Sequence, residues 1–253
     1  MSRFFVSPEN VGESSITIDD RGDLHHMIKV LRLSQGDMID ISDTQEWEYR
    51  AELTYLSSDE AHAKILDKQK FASEPEIKVT LFQGIPKQGK MELIVQKAVE
   101  LGVNEIVPVF MARTVVADKG NFGKKLQRWQ KVSDEAVKQC KRGIIPQVSQ
   151  PIRIPDALKL FEDFDLVLFP YENEEGTTIK DVLKSADREW GCNRKEGPVH
   201  MAVIIGPEGG FSQEEAEAIV SSGGKSVSLG KTILRTETAG LAAIAMIMYE
   251  LEM

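Results

Sequence analysis

The chain has 253 residues, 42% of them hydrophobic and 28% charged, with a formal charge of −9. That is the composition of a soluble globular protein with material for one or two cores. No apolar run reaches bilayer-spanning length, the start Met1-Ser-Arg-Phe-Phe meets Pro8, Glu9 and Asn10 with no secretory pattern, and Cys140 and Cys192 with no CxxC speak against a disulfide framework or zinc knuckle and for a cytoplasmic protein.

Residues 1 to about 70 read as all-β with one short helix. Leu24, Ile28 and Leu31 follow helical spacing and place His25 and His26 on or just before that helix. Gly36-Asp37 marks a turn before the strand Met38–Ile41. Tyr49, Ala51, Leu53 and Tyr55 alternate with polar residues as a half-buried strand, and Ala61, Ala63 and Ile65 repeat the pattern. The charged stretch from Lys68 to Glu76, with Pro75, marks the boundary, giving domains over 1–72 and 73–253.

Strand and helix then alternate. Val79–Phe82, Ile106–Phe110, Leu166–Phe169, Met201–Ile205 and Ser226–Leu229 read as strands. Met91, Ile94, Val95, Ala98 and Leu101 form an amphipathic helix that Gly102 ends. Lys124 to Cys140 is a basic helix with Leu126, Trp129, Val132, Ala136 and Cys140 inward, and Ile179–Ala186 is another helix. The alternation predicts a mostly parallel sheet with helices on both faces. Residues 239–249 are apolar almost throughout, so the last helix needs cover on several sides, within the chain or in a homodimer.

The charge is unevenly spread. Between Gly84 and Ile145 twelve basic residues face six acidic ones, Asp118 and Lys119 among them. Solvated helix faces and a phosphate-binding stripe both fit that pattern. His25 and His26 do not make a metal site, because adjacent side chains diverge and no Cys or third His completes a set. His62 and His200 read as strand-surface residues.

Two loops carry the chemistry. Val203-Ile-Ile-Gly-Pro-Glu-Gly-Gly-Phe-Ser212 is a buried strand ending in a glycine-rich loop, with Ser212 and Glu215 at capping-box spacing for the next helix. Leu229-Gly-Lys-Thr-Ile-Leu-Arg-Thr-Glu-Thr-Ala239 precedes the last helix. Glycine lets backbone approach a ligand closely, and a strand's carboxyl end in an α/β sheet is where ligands sit. A P-loop hydrolase is excluded, since GxxxxGK[ST] does not occur.

With these loops the chain resembles the SPOUT class of RNA methyltransferases, and within it the bacterial 16S ribosomal RNA (uracil-N3)-methyltransferase family. His25-His26 with Val30-Leu-Arg32 and Gly36-Asp37 is similar to that family's N-terminal domain. Gly89-Lys-Met-Glu92, Gln96-Lys97 and Glu100-Leu-Gly102 resemble the start of its catalytic domain, and Arg128-Trp129, Glu135-Ala136, Gln139-Cys140, Arg142 and Pro146 its basic helix. The resemblance implies a small PUA-like β-barrel followed by a SPOUT-type knotted, mostly parallel α/β sheet, acting as a homodimer. It implies S-adenosylmethionine as methyl donor and N3 of uridine 1498 in the 16S RNA of the small ribosomal subunit as target. One departure stands out: Lys231-Thr232 replaces the family's common Pro-Arg, which keeps a charge but loses the planar fork.

On that basis the cofactor is expected against Pro170, Tyr171, Ile205, Gly206, Pro207, Gly209, Gly210, Leu229, Gly230, Ile233, Leu234 and Thr236. Arg113 and Arg235 are expected to stabilise charge on the uracil oxygens. Glu172, Glu208 and Glu237 flank the site; Glu172 and Glu208 are carried forward as catalytic candidates, each equally able to pair an arginine or cap a helix. RNA contacts are expected from Arg3, Arg32, Lys87, Lys90, Arg128, Lys138, Lys141 and Arg142. A ribose 2′-O-methyltransferase of the same class and a non-enzymatic RNA-binding or ribosome-assembly protein are the rival readings.

Overall fold

The structure is a computed structural model and describes residues 3–116, 122–193 and 197–252. Asp118 and Lys119, counted in the basic segment above, lie outside the described residues. The chain forms two compact units, residues 1–74 with 137–145, and residues 75–136 with 146–253. Residues 137–145 thus group with the N-terminal unit and not with the surrounding sequence. Glu74 holds them, accepting from the Arg142 guanidinium at 2.8 Å and from Gly143 N at 2.6 Å, and Ser42 Oγ donates to Gly143 O at 2.5 Å.

The N-terminal unit is a five-stranded mixed sheet, with β1 (Arg3–Phe5), β2 (Ser15–Ile18), β3 (Met38–Ser42), β4 (Trp47–Leu56) and β5 (Ala61–Lys70) in the order β1-β3-β4-β5-β2. Phe4, Ile16, Ile18, Ile39, Ile41, Tyr49, Ala51, Leu53, Ala61 and Ala63 form its core. Tyr55 departs from the alternation. The register shifts between Leu53 and Tyr55, the extra residue reverses the pleat, and Tyr55 is 48% exposed. The short helix α1 (Arg21–His25) begins on Asp20, whose carboxylate accepts from Asp23 N, and runs into a π-helical turn, His26–Leu31. The wider turn shifts the apolar face, so Met27 is buried beside Leu24 while Ile28 is only half-buried.

The second unit is a parallel sheet. Its strands are β6 (Lys78–Gly84), β7 (Glu105–Phe110), β8 (Gln147–Val148), β9 (Ile152–Arg153), β10 (Leu166–Pro170), β11 (His200–Ile205) and β12 (Lys225–Val227). The order is β12-β10-β11-β6-β7-β8, with β9 also on β7. Met201–Ile205 is buried throughout, as expected of a strand covered on both faces. Helices α2 (Lys90–Glu100), α3 (Gly123–Cys140), α4 (Ile154–Lys159), α5 (Ile179–Asn193), α6 (Gln213–Ser221) and α7 (Thr236–Leu251) connect the strands. Phe82, Val167, Phe169, Ala202 and Ile204 share one core with Ile154, Ala157, Ala216 and Ile219 of α4 and α6. On the opposite face Leu81 and Ile205 lie against Gly240 of α7, and α2 and α5 contact α7.

Helix α7 resolves the question its composition raised in an intermediate way. Thr236, Gly240, Ala243, Ile244, Ile247 and Met248 are buried, a stripe at i, i+4, i+7, i+8, i+11 and i+12. Leu241, Ala245 and Met246 are half-buried and Tyr249 is 70% exposed.

Candidate functional site

Parallel pairing puts the carboxyl ends of neighbouring strands on one edge of a sheet. Strands β12, β10, β11 and β6 are consecutive neighbours, so the segments after Val227, Pro170, Ile205 and Gly84 emerge side by side. The first three lead into the loops expected to hold the cofactor, and the segment after Gly84 is a neighbour that the sequence did not single out for it.

Direct bonds fix the loops to one another. Thr236 Oγ1 donates to Gly206 O at 2.6 Å and accepts from Gln83 Nε2 at 2.9 Å. Gln83 is fully buried and its amide also donates to Gly84 O at 3.0 Å. A Cβ at Gly84 would stand 2.6 Å from Pro207 N, so the end of β6 and the loop after β11 meet backbone to backbone. The loop after β10 joins through rings: Phe169 stacks on Tyr171 at 5.0 Å and meets Phe211 edge-on at 4.9 Å. The Tyr171 N–H donates to Val227 O at 3.1 Å.

Gly206 and Pro207 are buried, Leu229 and Leu234 are half-buried, and Ile233 is 85% exposed. Gly230 takes φ 131, and open space lies where its Cβ would stand. Backbone there can be approached by a ligand, with Leu229, Ile233 and Leu234 as apolar neighbours in sequence, which fits a nucleoside-bearing cofactor.

Arg113 lies in the turn after β7. Its Nη1 donates to Gly209 O at 2.7 Å, and its Cβ would be 3.0 Å from a Cβ on Gly209. Glu172 sits over the same loop: a Cβ at Gly210, where φ is 68, would stand 2.9 Å from Glu172 Oε1. Glycine at 209 and 210 is therefore what admits both side chains. Arg235 is exposed and occupies the N-cap position of α7 with extended backbone.

Glu208 and Glu237 are differently placed. Lys90 Nζ lies 3.2 Å from each carboxylate, and Lys87 N donates to Glu208 at 3.1 Å. Burial opposes ionisation of Glu208, but its own N–H, Lys90 and the Lys87 N–H outweigh it and hold the carboxyl below its ordinary range. Glu237 is lowered chiefly by its own N–H, then by Lys90 against the opposing effect of burial. The two carboxylates in turn raise the Lys90 ammonium, Glu237 foremost. A carboxylate lowered in this way is a weaker base. Glu172 makes no hydrogen bond or ion pair among the described residues, and its carboxylate lies over Gly210.

The expected RNA contacts divide. Arg142 has only 6% of its side chain exposed and pairs with Glu74, so that in this structure the guanidinium is a structural tie. Lys90 bridges Glu208 and Glu237. Arg3 pairs with Glu48 and donates to Lys141 O at 2.6 Å, and Lys138 pairs with Asp23 at 3.1 Å. Arg3, Lys138 and Lys141 nonetheless line a cleft of about 240 Å³ in the N-terminal unit with Phe4, Asp23, His26 and Asp40. Arg128 is largely exposed while touching Glu92 at 2.9 Å. Arg32, Lys87 and Lys141 are exposed. Gln83 and the second role of Lys90 escaped sequence reading; a polar residue closing the apolar run Val79–Phe82 was the one signal for Gln83.

Comparison with known proteins bears on the same two units. A model of the RNA methyltransferase domain matches residues 73–248, and one of the RNA methyltransferase PUA domain matches residues 18–66. The ribosomal RNA small subunit methyltransferase E of Bacillus subtilis is 30% identical over a 260-residue alignment covering 100% of this chain and 98% of that protein. A protein of that name from Neisseria gonorrhoeae, bound to S-adenosyl methionine in its crystal structure, superposes with a TM-score of 0.81 at 30% identity, over 99% of this chain and 98% of the other. A Legionella pneumophila chain in complex with the bound cofactor SAM superposes with a TM-score of 0.78 at 28% identity, over 98% and 97%.

Proposed function

This chain belongs to the ribosomal RNA small subunit methyltransferase E family, within the SPOUT fold class, and from that membership we propose that it methylates N3 of uridine 1498 of 16S ribosomal RNA in the small subunit, using S-adenosylmethionine. The observation that carries the reading is the Thr236–Gly206 bond at 2.6 Å. It joins the two loops that sequence alone singled out and makes them one surface.

Bound there, S-adenosylmethionine supplies an electrophilic methyl group on a sulfonium sulfur. The protein's work is positional and electrostatic. Backbone of Pro170–Tyr171, Ile205–Gly210, Leu229–Gly230 and Ile233–Leu234 would hold the donor, with Ile205, Leu229, Ile233 and Leu234 as its apolar walls. Holding methyl and N3 in line makes the encounter effectively intramolecular. As N3 loses its proton, charge spreads to the uracil oxygens, and Arg113 and Arg235 supply donors worth about 2.7–4 kcal/mol each in a preorganised site. Glu172 takes the proton. Glu208, tied to Lys90 and Lys87, shapes the loop instead.

RNA is held by Arg3, Arg32, Lys87, Arg128, Lys138 and Lys141, and His26 in the N-terminal cleft offers a ring to the same partner. The protein acts in the cytoplasm as a homodimer, for which the half-buried side of α7 with exposed Tyr249 supplies an apolar face. A trefoil knot near the carboxyl end belongs to the same reading, and the chain's return from β12 at the sheet edge to α7 against β11 and β6 is compatible with it.

Small subunits lacking the modification, incubated with protein and S-adenosylmethionine, then digested for nucleoside mass analysis, test the proposal. N3-methyluridine at the target is expected. A ribose-methylated nucleoside would install the 2′-O reading, and tight binding without methyl transfer would leave an assembly protein.

A further inference from the structure

A capping box needs only one carboxylate oxygen from its third residue. Glu215 gives Oε2 to that task, accepting from Ser212 N at 2.9 Å while Ser212 Oγ accepts from Glu215 N at 3.2 Å. Its other oxygen is free to act elsewhere. Oε1 accepts from Ala112 N at 2.6 Å, across a sequence separation of 103 residues. Ala112 is the residue before Arg113, in a turn closed by Thr114 N donating to Met111 O at 2.9 Å and Met111 N donating to Thr114 Oγ1 at 3.0 Å.

The turn after β7 is thus fastened at two points to the segment after β11. Glu215 grips its backbone from the start of α6, and the Arg113 guanidinium reaches Gly209 O at 2.7 Å. Without the first tie the arginine would keep one contact, through its longest and most flexible bonds. We infer that Glu215 is a positioning residue for Arg113, setting where the guanidinium stands through the Ala112 N–H. The inference rests on the proposed electrostatic role of Arg113.

The two oxygens can be separated experimentally. Glutamine also satisfies the third position of a capping box, so Glu215→Gln can retain the bond to Ser212 N while its amide nitrogen cannot accept from Ala112. Ser212→Ala does the reverse: it removes the hydroxyl cap and leaves both carboxylate bonds in place. Both variants, with Arg113→Ala and the Arg113→Ala/Glu215→Gln double variant, would be compared by steady-state kinetics on small subunits, by calorimetric S-adenosylmethionine affinity and by thermal melting.

For Glu215→Gln, kcat is expected to fall about 10- to 100-fold, the scale of a misplaced group. Cofactor affinity stays within about twofold, and the melting temperature falls no further than in Ser212→Ala, which keeps near-normal kcat. In the Arg113→Ala background the glutamine adds little, the non-additivity of residues acting as a unit. Normal kcat in Glu215→Gln with impaired Arg113→Ala would overturn the positioning role alone. Near-normal turnover in Arg113→Ala would overturn the reading of Arg113 itself. Equal loss of kcat in Ser212→Ala and Glu215→Gln would show that the cap, not the tie to Ala112, matters.

Discussion

At the edge of the parallel sheet, Gly84, Gly206, Pro207 and Thr236 are fixed by neutral contacts: backbone against backbone and a hydroxyl on a carbonyl oxygen. In the N-terminal unit, Arg3, Lys138 and Arg142 are fixed by Glu48, Asp23 and Glu74. The first arrangement tolerates salt and acid but not an added atom. The second tolerates changes in shape but not loss of a partner charge, and its exposed members are screened by salt. The proposed cofactor and RNA sites should therefore respond to different insults.

The largest response is expected from Arg142→Ala. Removing one member of a buried pair leaves Glu74 uncompensated, at about 3–5 kcal/mol, measured by urea unfolding. Cofactor affinity of the folded fraction should not change. A variant of wild-type stability with weakened RNA binding would break the comparison by returning Arg142 to the RNA surface. Next is Gly84→Ala, whose methyl would meet Pro207 N at 2.6 Å. Overpacking of this kind costs about 1–3 kcal/mol, and the displaced loop should lose more than about tenfold in S-adenosylmethionine affinity by calorimetry, since each tenfold is only about 1.4 kcal/mol. Unchanged affinity would separate Gly84 from the proposed cofactor loops.

These two positions also show what a sequence discloses. The loops at the sheet edge were legible because their signals are local: apolar runs ending in Gly206-Pro-Glu-Gly-Gly210, and a cap three residues from its partner. Parallel strand order then brings such loops to one edge without further information. The partners of the basic residues were not legible, because a charge declares its sign and not its partner. Glu74 is 68 residues from Arg142, and Glu237 is 147 from Lys90. Likewise the register shift that turns Tyr55 outward, the π-helical turn that buries Met27, and the second oxygen of Glu215 depend on contacts that no spacing pattern encodes.

Lys90→Met sharpens the contrast within the catalytic unit. Glu208 and Glu237 have folded pKa values below their ordinary ones. Their contribution to stability is present above the ordinary carboxylate pKa, about 4.3, and is lost as pH falls through the lowered folded values. The acid limb of a stability–pH curve should therefore be shallower in Lys90→Met, though not flat, because backbone N–H groups also lower both carboxyls. An acid limb identical to wild type would mean that Lys90 is not coupled to the two glutamates.

The smallest effect concerns Lys141. It is exposed, its φ of 61 places it in the left-handed region, and its carbonyl oxygen accepts from Arg3 and from Ser73. Those bonds belong to the backbone, so Lys141→Ala removes only the ammonium and leaves the turn tied. Stability should change by less than about 0.5 kcal/mol, as for surface substitutions generally. RNA affinity should fall modestly and by a similar factor across sequences, and the slope of log K against log salt should drop by about 1, the signature of one lost phosphate contact. Lys138→Ala tests the pairing argument from the other side. Lys138 already neutralises Asp23 at 3.1 Å, so its removal should change the salt slope less than Lys141→Ala does. Equal slopes would show that the ion pair opens on RNA, and that pairing in the free protein does not withhold a charge from the phosphate backbone.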